Sequence, residues 1–187
     1  NFDPPITSVE ILNPLQGKDH SEDKLIVLDV LAVDELGRRF NIEMQTTLPS
    51  DLAKRLTYYN CVNYVRQLNE GERYFELRPS ICICVLDRVL FRNVDEFHLS
   101  HRLRCDQTDL VFSDDLVFHT LELPKYQVDR DNVILNDPLS KWLYFLKYAK
   151  QLDSNELAEQ LVDDEYREAL GVRSEEHTSE LQSHLNL

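Results

Sequence analysis

The sequence predicts an α/β fold, an α+β arrangement with a central mixed β-sheet flanked by helices. Apolar stretches of strand length alternate with stretches whose apolar residues recur at helical spacing. The chain has 187 residues, of which 42% are hydrophobic, and this is enough for one domain with a sizeable core. Because it has no apolar run of about 18 residues, we expect no contact with a membrane.

The first third of the chain predicts a hairpin after an irregular lead-in. Residues 1–23 contain three prolines, which oppose helix formation. Residues 25–33 are apolar on both faces, as in a central strand. Residues 34–37 form a turn in which Gly37 takes the left-handed conformation. Residues 38–45 then alternate between apolar and polar side chains, which is typical of a strand.

Three helices and three strands are predicted in the rest of the chain. The first helix covers residues 51–69, with Ser50 as its N-cap and Gly71 ending it. The second helix, 140–150, carries Trp142, which we expect in the core. The third is an acidic amphipathic helix that covers residues 154–170. The three strands are short and cover residues 81–86, 97–104 and 116–123.

The register of the hairpin brings two carboxylates together. With a three-residue loop at 35–37, Asp29 lies opposite Glu43, and opposed side chains have Cβ atoms about 5 Å apart on one face. Such carboxylates repel each other unless a proton or a cation lies between them. Mg²⁺ binds oxygen ligands, and the backbone carbonyl of Met44 is a further candidate. Gln45 lies one step along the same face.

Each carboxylate also has an explanation that involves no metal. Asp29 could end its strand in an ion pair with Arg55 or Arg66. Glu43 could face solvent on an edge strand. An aspartate followed at a distance by a glutamate and a polar residue is a weak signal, so the spacing alone leaves both explanations open.

The charge of the chain is uneven. The formal net charge is −14, which argues against a general nucleic-acid binder because phosphate contacts need a basic surface. Residues 38–92, however, contain nine Lys and Arg against six Asp and Glu, a net of +3. The only positive stretch therefore begins with the second strand of the hairpin, which weakens the objection to DNA binding.

The cysteines and histidines do not predict a zinc site. The four cysteines include no CxxC pair, and the six histidines show no ligand spacing. Cys82 and Cys84 share one face of a strand in an apolar run. We expect all four cysteines to be buried and reduced.

Several segments together resemble the PD-(D/E)XK nuclease family transposases, also described as recombination-promoting nucleases. The stretch KLIVLDVLAVDELGRRFNIEMQ covers residues 24–45. The resemblance continues through RLTYY at 55–59, YFELRPSI at 74–81 and LELPKY at 121–126, within residues 6–150. It implies a restriction-endonuclease-like core and Mg²⁺-dependent hydrolysis of DNA in transposition or recombination. Mn²⁺ would be a possible substitute, DNA the partner and the cytoplasm the location.

The resemblance also assigns roles to residues. Asp29 is the motif aspartate, and Glu43-Met44-Gln45 is the E-x-Q form of the (D/E)xK motif. Gln45, which stands where many relatives of the superfamily have lysine, orients water but brings no positive charge to the transition state. On the following helix, Arg55, Tyr58 and Lys54 are candidate DNA contacts, and the alternative is a solvated basic face with a packed tyrosine.

The ends of the chain depart from the family pattern. Family members carry a helix before the segment that begins near Ile6, and it is expected to be missing here. Residues 1–150 would form the nuclease-like domain and 151–172 an acidic helix. Residues 173–187 look like the translation of a sequencing adapter, so an artefactual tail is expected. These departures, with Gln45, support an alternative function: an inactive nuclease-fold remnant that acts in binding or assembly.

Overall fold

The computed structural model describes residues 4–12, 15–16, 26–27, 30–128, 137–148 and 151. The chain divides into two compact units, Asn1–Lys125 and Tyr126–Leu187. The first unit contains a mixed six-stranded sheet, and the predicted α+β architecture is confirmed. The elements are β1 (Val9–Leu12), β2 (Leu15–Gln16), β3 (Ile26–Val27), β4 (Val30–Asp34), β5 (Arg39–Gln45), α1 (Leu52–Val65), β6 (Ser80–Leu86), β7 (His98–Arg104), β8 (Val111–Glu122) and α2 (Pro138–Tyr148).

The six-stranded sheet has the strand order β1-β4-β5-β6-β8-β7. Its middle is parallel, since β5 pairs with β6 and β6 with β8 in the same direction. Both ends are antiparallel, through the β1–β4 and β4–β5 pairs on one side and the β7–β8 pair on the other. β5 is therefore an interior strand with a partner on each side.

The turn between β4 and β5 has the predicted geometry. Gly37 has a φ of +79°, and its amide donates to the carbonyl of Asp34 at 3.0 Å. The Asp34 carboxylate accepts the backbone amide of Arg38 at 2.8 Å and contacts the Arg38 guanidinium at 2.5 Å. The predicted register is confirmed over four pairs, from Val33 opposite Arg39 to Val30 opposite Ile42.

The first predicted strand, residues 25–33, is wrong as a single strand. Its described parts lie in two different sheets, because β3 pairs with β2 while β4 joins the six-stranded sheet. Val27, which the hairpin register would place opposite Gln45, pairs with Leu15 instead. Asp29 lies outside the described residues.

Side chains on β5 and β6 alternate between two buried faces. The face toward α1 has a core of Cys82, Cys84 and Leu86 packed against Leu52 and Leu56 of the helix. The opposite face has a separate core, formed by the buried side chains Ala32, Phe40, Ile81 and Val117. Fully burying a side chain such as Leu86 contributes about 1.5–3 kcal/mol to stability.

The helix α1 is shorter than the sequence predicts. It starts one residue later than expected, with Asp51 rather than Ser50 at the N-cap, and Asp51 makes no capping hydrogen bond through its side chain. It ends at Val65, because the amides of Gln67 and Leu68 bond to carbonyls only three residues back. Gly71, with a φ of +88°, follows this tightened turn.

The later elements agree with the predictions apart from their ends. β8 begins at Val111, five residues earlier than predicted. In the second unit, Asp137 accepts the amide of Ser140 at 2.9 Å at the start of α2. Trp142 was predicted to be buried but is 38% exposed, and it contacts Phe145 edge-on. The core side chains of α2 are Leu143, Tyr144 and Tyr148.

In the part of the chain that the structure describes, neither α-helix has the length and hydropathy needed to cross a bilayer. The predicted helix at 154–170 and the tail at 173–187 lie outside the described residues.

Candidate active site

A row of polar side chains lies on the face of β5 that is covered by α1. Asn41, Glu43 and Gln45 share this face because side chains alternate along a strand. Their partners on β6 are Cys82, Cys84 and Leu86, which belong to the core beneath α1. The row is therefore set into the interface between helix and sheet and not on the outer surface.

Glu43 is buried, with 2% of its surface exposed. This overturns the alternative in which it faces solvent on an edge strand, because β5 is interior. The side-chain amide of Gln45 donates to Oε2 of Glu43 at 3.3 Å. Burying an ion costs several kcal/mol, so a carboxylate here must be compensated by a proton, a hydrogen-bond donor or a cation.

The partner proposed for Glu43 cannot be placed. The confirmed register ends at Val30 and Ile42, one pair before Asp29 and Glu43. Because Asp29 is outside the described residues, its pairing with Glu43 stays a prediction. The same holds for the alternative, an ion pair of Asp29 with Arg55 or Arg66.

Two cysteine thiols lie beside the polar row. Burial raises the pKa of the Cys82 thiol, and the neighbouring Cys84 and Glu43 raise it further, so Cys82 stays a neutral thiol. Cys82 and Cys84 are 1% and 0% exposed, whereas Cys61 and Cys105 are only half-buried, and all four are free. Within the described residues, which do not include Asp29, no three His, Cys, Asp or Glu side chains are grouped so that they could hold a metal.

The three candidate DNA contacts lie on different faces of α1 and so differ in how closely they approach the polar row. The side chains of α1 that face the sheet include Leu52, Leu56 and Asn63. Lys54 and Tyr58 lie on the outer face of the helix instead, since positions 54 and 58 are about half a turn away from positions 52, 56 and 63. Tyr58 is 45% exposed.

An open groove of about 500 Å³ runs along the outer face of α1, and the described residues that line it all belong to this helix. Lys54 and Tyr58 line this groove together with Ala53, Thr57 and Cys61. Lys54 and Tyr58 therefore do not converge on Glu43.

Arg55 occupies an intermediate position on the helix. Its guanidinium lies 5.8 Å from the ring centre of Tyr59, and Tyr59 packs on Leu31 of β4. Arg55 is thus on the flank of α1 that approaches the hairpin, closer to the polar row than Lys54 or Tyr58 in its direction around the helix.

A buried cluster of two asparagines and a serine lies next to the row and was not predicted from the sequence. Asn60 and Asn63 of α1 and Ser80 of β6 are each 0% exposed. The hydroxyl of Ser80 donates to Oδ1 of Asn60 at 2.7 Å, and Nδ2 of Asn60 donates to the carbonyl of Val117 at 3.1 Å. The signal was available, because positions 52, 56, 60 and 63 follow helical spacing once the two asparagines are admitted to the buried face.

A second buried carboxylate lies on the same face of the sheet and was not singled out either. Glu122 is 1% exposed, and its oxygens accept the backbone amides of Leu90 at 2.9 Å and Phe91 at 3.3 Å. Lys125 lies 3.2 Å from Glu122 and donates to the carbonyl of Phe91 at 2.7 Å. These contacts attach the loop after β6 to the end of β8.

Comparison with known protein families finds a match that covers most of the chain. The family model described as PD-(D/E)XK nuclease family transposase matches residues 2–180. Among curated proteins and solved structures, none matches the chain significantly. PD-(D/E)XK nucleases generally use divalent metals.

Proposed function

The chain belongs to the PD-(D/E)XK nuclease family transposases, and from that premise we propose that it is a Mg²⁺-dependent DNA endonuclease acting in transposition or recombination. The observation that carries the proposal is Glu43, a carboxylate 2% exposed on an interior strand and bonded to Gln45 of the same motif. The confirmed hairpin register supports Asp29 as its partner, since one further step would bring Asp29 opposite Glu43.

The donors on this strand suit a hard cation. Glu43 supplies a carboxylate and Met44 a backbone carbonyl, and with Asp29 they would make a set of oxygen ligands of the kind that Mg²⁺ prefers. The burial of Glu43 also limits access of bulk water. Asp29, Glu43 and the Met44 carbonyl would hold the ion, and Mn²⁺ would substitute for it.

The chemistry divides between the ion and the protein. A bound divalent cation lowers the pKa of water and stabilises negative charge on the phosphodiester. Asp29 and Glu43 would hold the ion if the register of the hairpin continues by one pair. Gln45 orients the attacking water through its amide, which is already directed at Glu43 in the structure. As a neutral residue it adds no charge to the transition state, so we expect a slower enzyme than one with lysine there.

DNA is the partner that we propose, and the cytoplasm the location. Arg55 is the best placed of the three candidate contacts, because it lies on the flank of α1 nearest the hairpin. Lys54 and Tyr58 would meet DNA only on the outer face of α1, along the groove they line. Residues 38–92 carry a net charge of +3, and this positive stretch of sequence favours contact with phosphate.

Plasmid cleavage tests the proposal. Purified protein with Mg²⁺ or Mn²⁺ is expected to nick or linearise plasmid DNA, and Asp29→Asn and Glu43→Gln, which keep side-chain size, are expected to abolish cleavage while leaving DNA binding unchanged. The proposal is wrong if the wild-type protein binds the plasmid but leaves it intact with either metal. It is also wrong if Glu43→Gln cleaves as fast as the wild type.

A second function is a nuclease-fold remnant that binds or assembles without catalysis. The hydrogen bond between Gln45 and Glu43 favours it, because a neutral amide can satisfy the carboxylate without any cation. The net charge of −14 favours it too. Calorimetric titration with Mg²⁺ separates the two, since the remnant is expected to show no binding, or binding that Glu43→Ala leaves unchanged.

A further inference from the structure

Asn41 is a buried polar side chain whose oxygen is left over. It is 0% exposed and lies on interior strand β5. Its Nδ2 lies 3.9 Å from the Cys82 sulfur, a weak hydrogen bond. Among the residues that the structure describes, its Oδ1 has no hydrogen-bond partner. A buried acceptor without a donor destabilises the fold, so a structural role alone does not account for this amide.

Another buried amide between α1 and the sheet forms hydrogen bonds through both of its ends. The unbonded side-chain oxygen of Asn41 is therefore not a general feature of this interface. Asn60, also 0% exposed, uses both ends of its side chain, on Ser80 and on the carbonyl of Val117. Asn41, by contrast, lies opposite Leu31 of the neighbouring strand β4, and Leu31 is a core residue. An apolar side chain at position 41 would therefore fit its surroundings on this face.

The leftover oxygen belongs to the same row as Glu43. Residues two apart on a strand point to the same face, with Cα atoms about 6–7 Å apart. Both residues face the same stretch of β6, since Asn41 lies opposite Cys82 and Glu43 lies opposite Cys84. Oδ1 of Asn41 is thus an oxygen acceptor one position along from the carboxylate of the proposed site.

We propose that Asn41 is a positioning residue of the cation site, whose Oδ1 accepts a hydrogen bond from one of the waters that a hydrated divalent cation keeps beside Glu43. The inference rests on the proposed function and deepens it. Mg²⁺ dehydrates reluctantly and is held partly through its waters, so acceptors that hold those waters contribute to affinity. Asn41 would act on the ion through water and not touch the substrate.

Calorimetric titration of the full chain with Mg²⁺ and with Mn²⁺, without DNA, tests this role. Asn41→Leu is expected to raise the dissociation constant about ten- to hundredfold, as outer-shell substitutions do at metal sites. Its metal-free melting temperature is expected to equal or exceed that of the wild type, because the leftover acceptor is gone. Ile42→Val, on the opposite face of the same strand, is the control and is expected to bind as the wild type does.

Asn41→Asp is the second variant, and it decides the matter if Asn41→Leu does not fold. It keeps an oxygen acceptor but adds a carboxylate near Glu43. We expect a metal-free melting temperature below that of the wild type, a larger rise on adding Mg²⁺, and a dissociation constant equal or tighter. An Asn41→Asp protein that is not stabilised by the ion overturns the inference.

Loss of the cation site and loss of the role of Asn41 would give different results. If the wild type binds neither ion, or if Glu43→Gln binds as tightly as the wild type, the proposed function fails and the inference with it. If Glu43→Gln loses binding while Asn41→Leu stays within twofold of the wild type, the inference alone is wrong and the cation site stands.

Discussion

Two buried glutamates on the same face of one sheet are held in different ways. Glu43 and Glu122 are 2% and 1% exposed, on β5 and at the end of β8. Glu122 accepts two backbone amides and lies beside a lysine, so its charge is compensated by groups that the fold fixes in place. Glu43 accepts a side-chain amide, that of Gln45, and is flanked along its strand by another amide, that of Asn41.

Burial of a carboxylate therefore does not by itself indicate a catalytic or metal-binding role. Backbone donors cannot turn away without unfolding the loop, so Glu122 is suited to holding the loop after β6. A side-chain amide can rotate toward water or substrate, so the surroundings of Glu43 can change when a ligand binds. We therefore assign structure to Glu122 and propose function for Glu43.

The largest expected effect tests the Glu43 side of the comparison. Glu43→Gln is expected to lower the rate of Mg²⁺-dependent plasmid cleavage by at least about 10²–10³-fold, because an electrostatic contact in the proposed site is lost. Its melting temperature is expected to change little. Rates and thermal unfolding would be measured side by side. Large destabilisation with unchanged cleavage would reverse the assignment of the two glutamates.

The converse change tests Glu122. Glu122→Gln is expected to destabilise the protein by about 3 kcal/mol, because Lys125 loses the partner of its buried charge. Urea unfolding measures the loss, and cleavage per folded molecule below the transition is expected to stay near that of the wild type. If activity falls with no loss of stability, Glu122 belongs to the active site after all.

A smaller effect is expected at the turn that sets the register of Glu43. Gly37→Ala puts a Cβ in a conformation with φ +79°, 3.2 Å from Cγ of Arg78, and is expected to cost about 1–2 kcal/mol in the free energy of unfolding. Gly71→Ala is the matched control, with φ +88° and open space around its Cβ. Equal losses in the two variants would show that the Arg78 contact costs nothing.

The last effect depends on pH and concerns a buried histidine. Burial lowers the pKa of His119 from 6.5 to about 4, and its Nδ1 lies 2.9 Å from Nε2 of His98. A base with a lowered pKa stays neutral in the fold while the unfolded chain binds the proton, so this part of the stability is complete above pH 6.5 and is lost as pH falls toward 4.

Melting temperatures across that range measure the contribution of His119. The wild type is expected to lose more stability between pH 6.5 and pH 4 than His119→Asn does. Identical slopes for wild type and His119→Asn would contradict the expectation.

Much of the fold could be predicted because the relevant signals are local. The Gly37 turn, the alternation along residues 38–45 and the apolar run at 81–86 each depend on neighbouring residues, and each agrees with the structure. The division of residues 25–33 between β3 and β4 was not predicted, because the run is apolar apart from Asp29 and such a run does not show where a strand changes its pairing partner. The prediction that Trp142 is buried was wrong, because an aromatic residue does not by itself show which face of its helix is buried.

The features of the candidate site were likewise predictable only where the signal in the sequence is local. The hairpin, its register, and the shared face of Asn41, Glu43 and Gln45 could be predicted, because turn geometry and the alternation along a strand are properties of adjacent residues. The packing of the fold was needed to show that this face is buried under α1, that Lys54 and Tyr58 point away from it, and that Glu122 is bound by a distant loop. Burial and long-range hydrogen bonds depend on which elements pack together, and no single stretch of sequence carries that information.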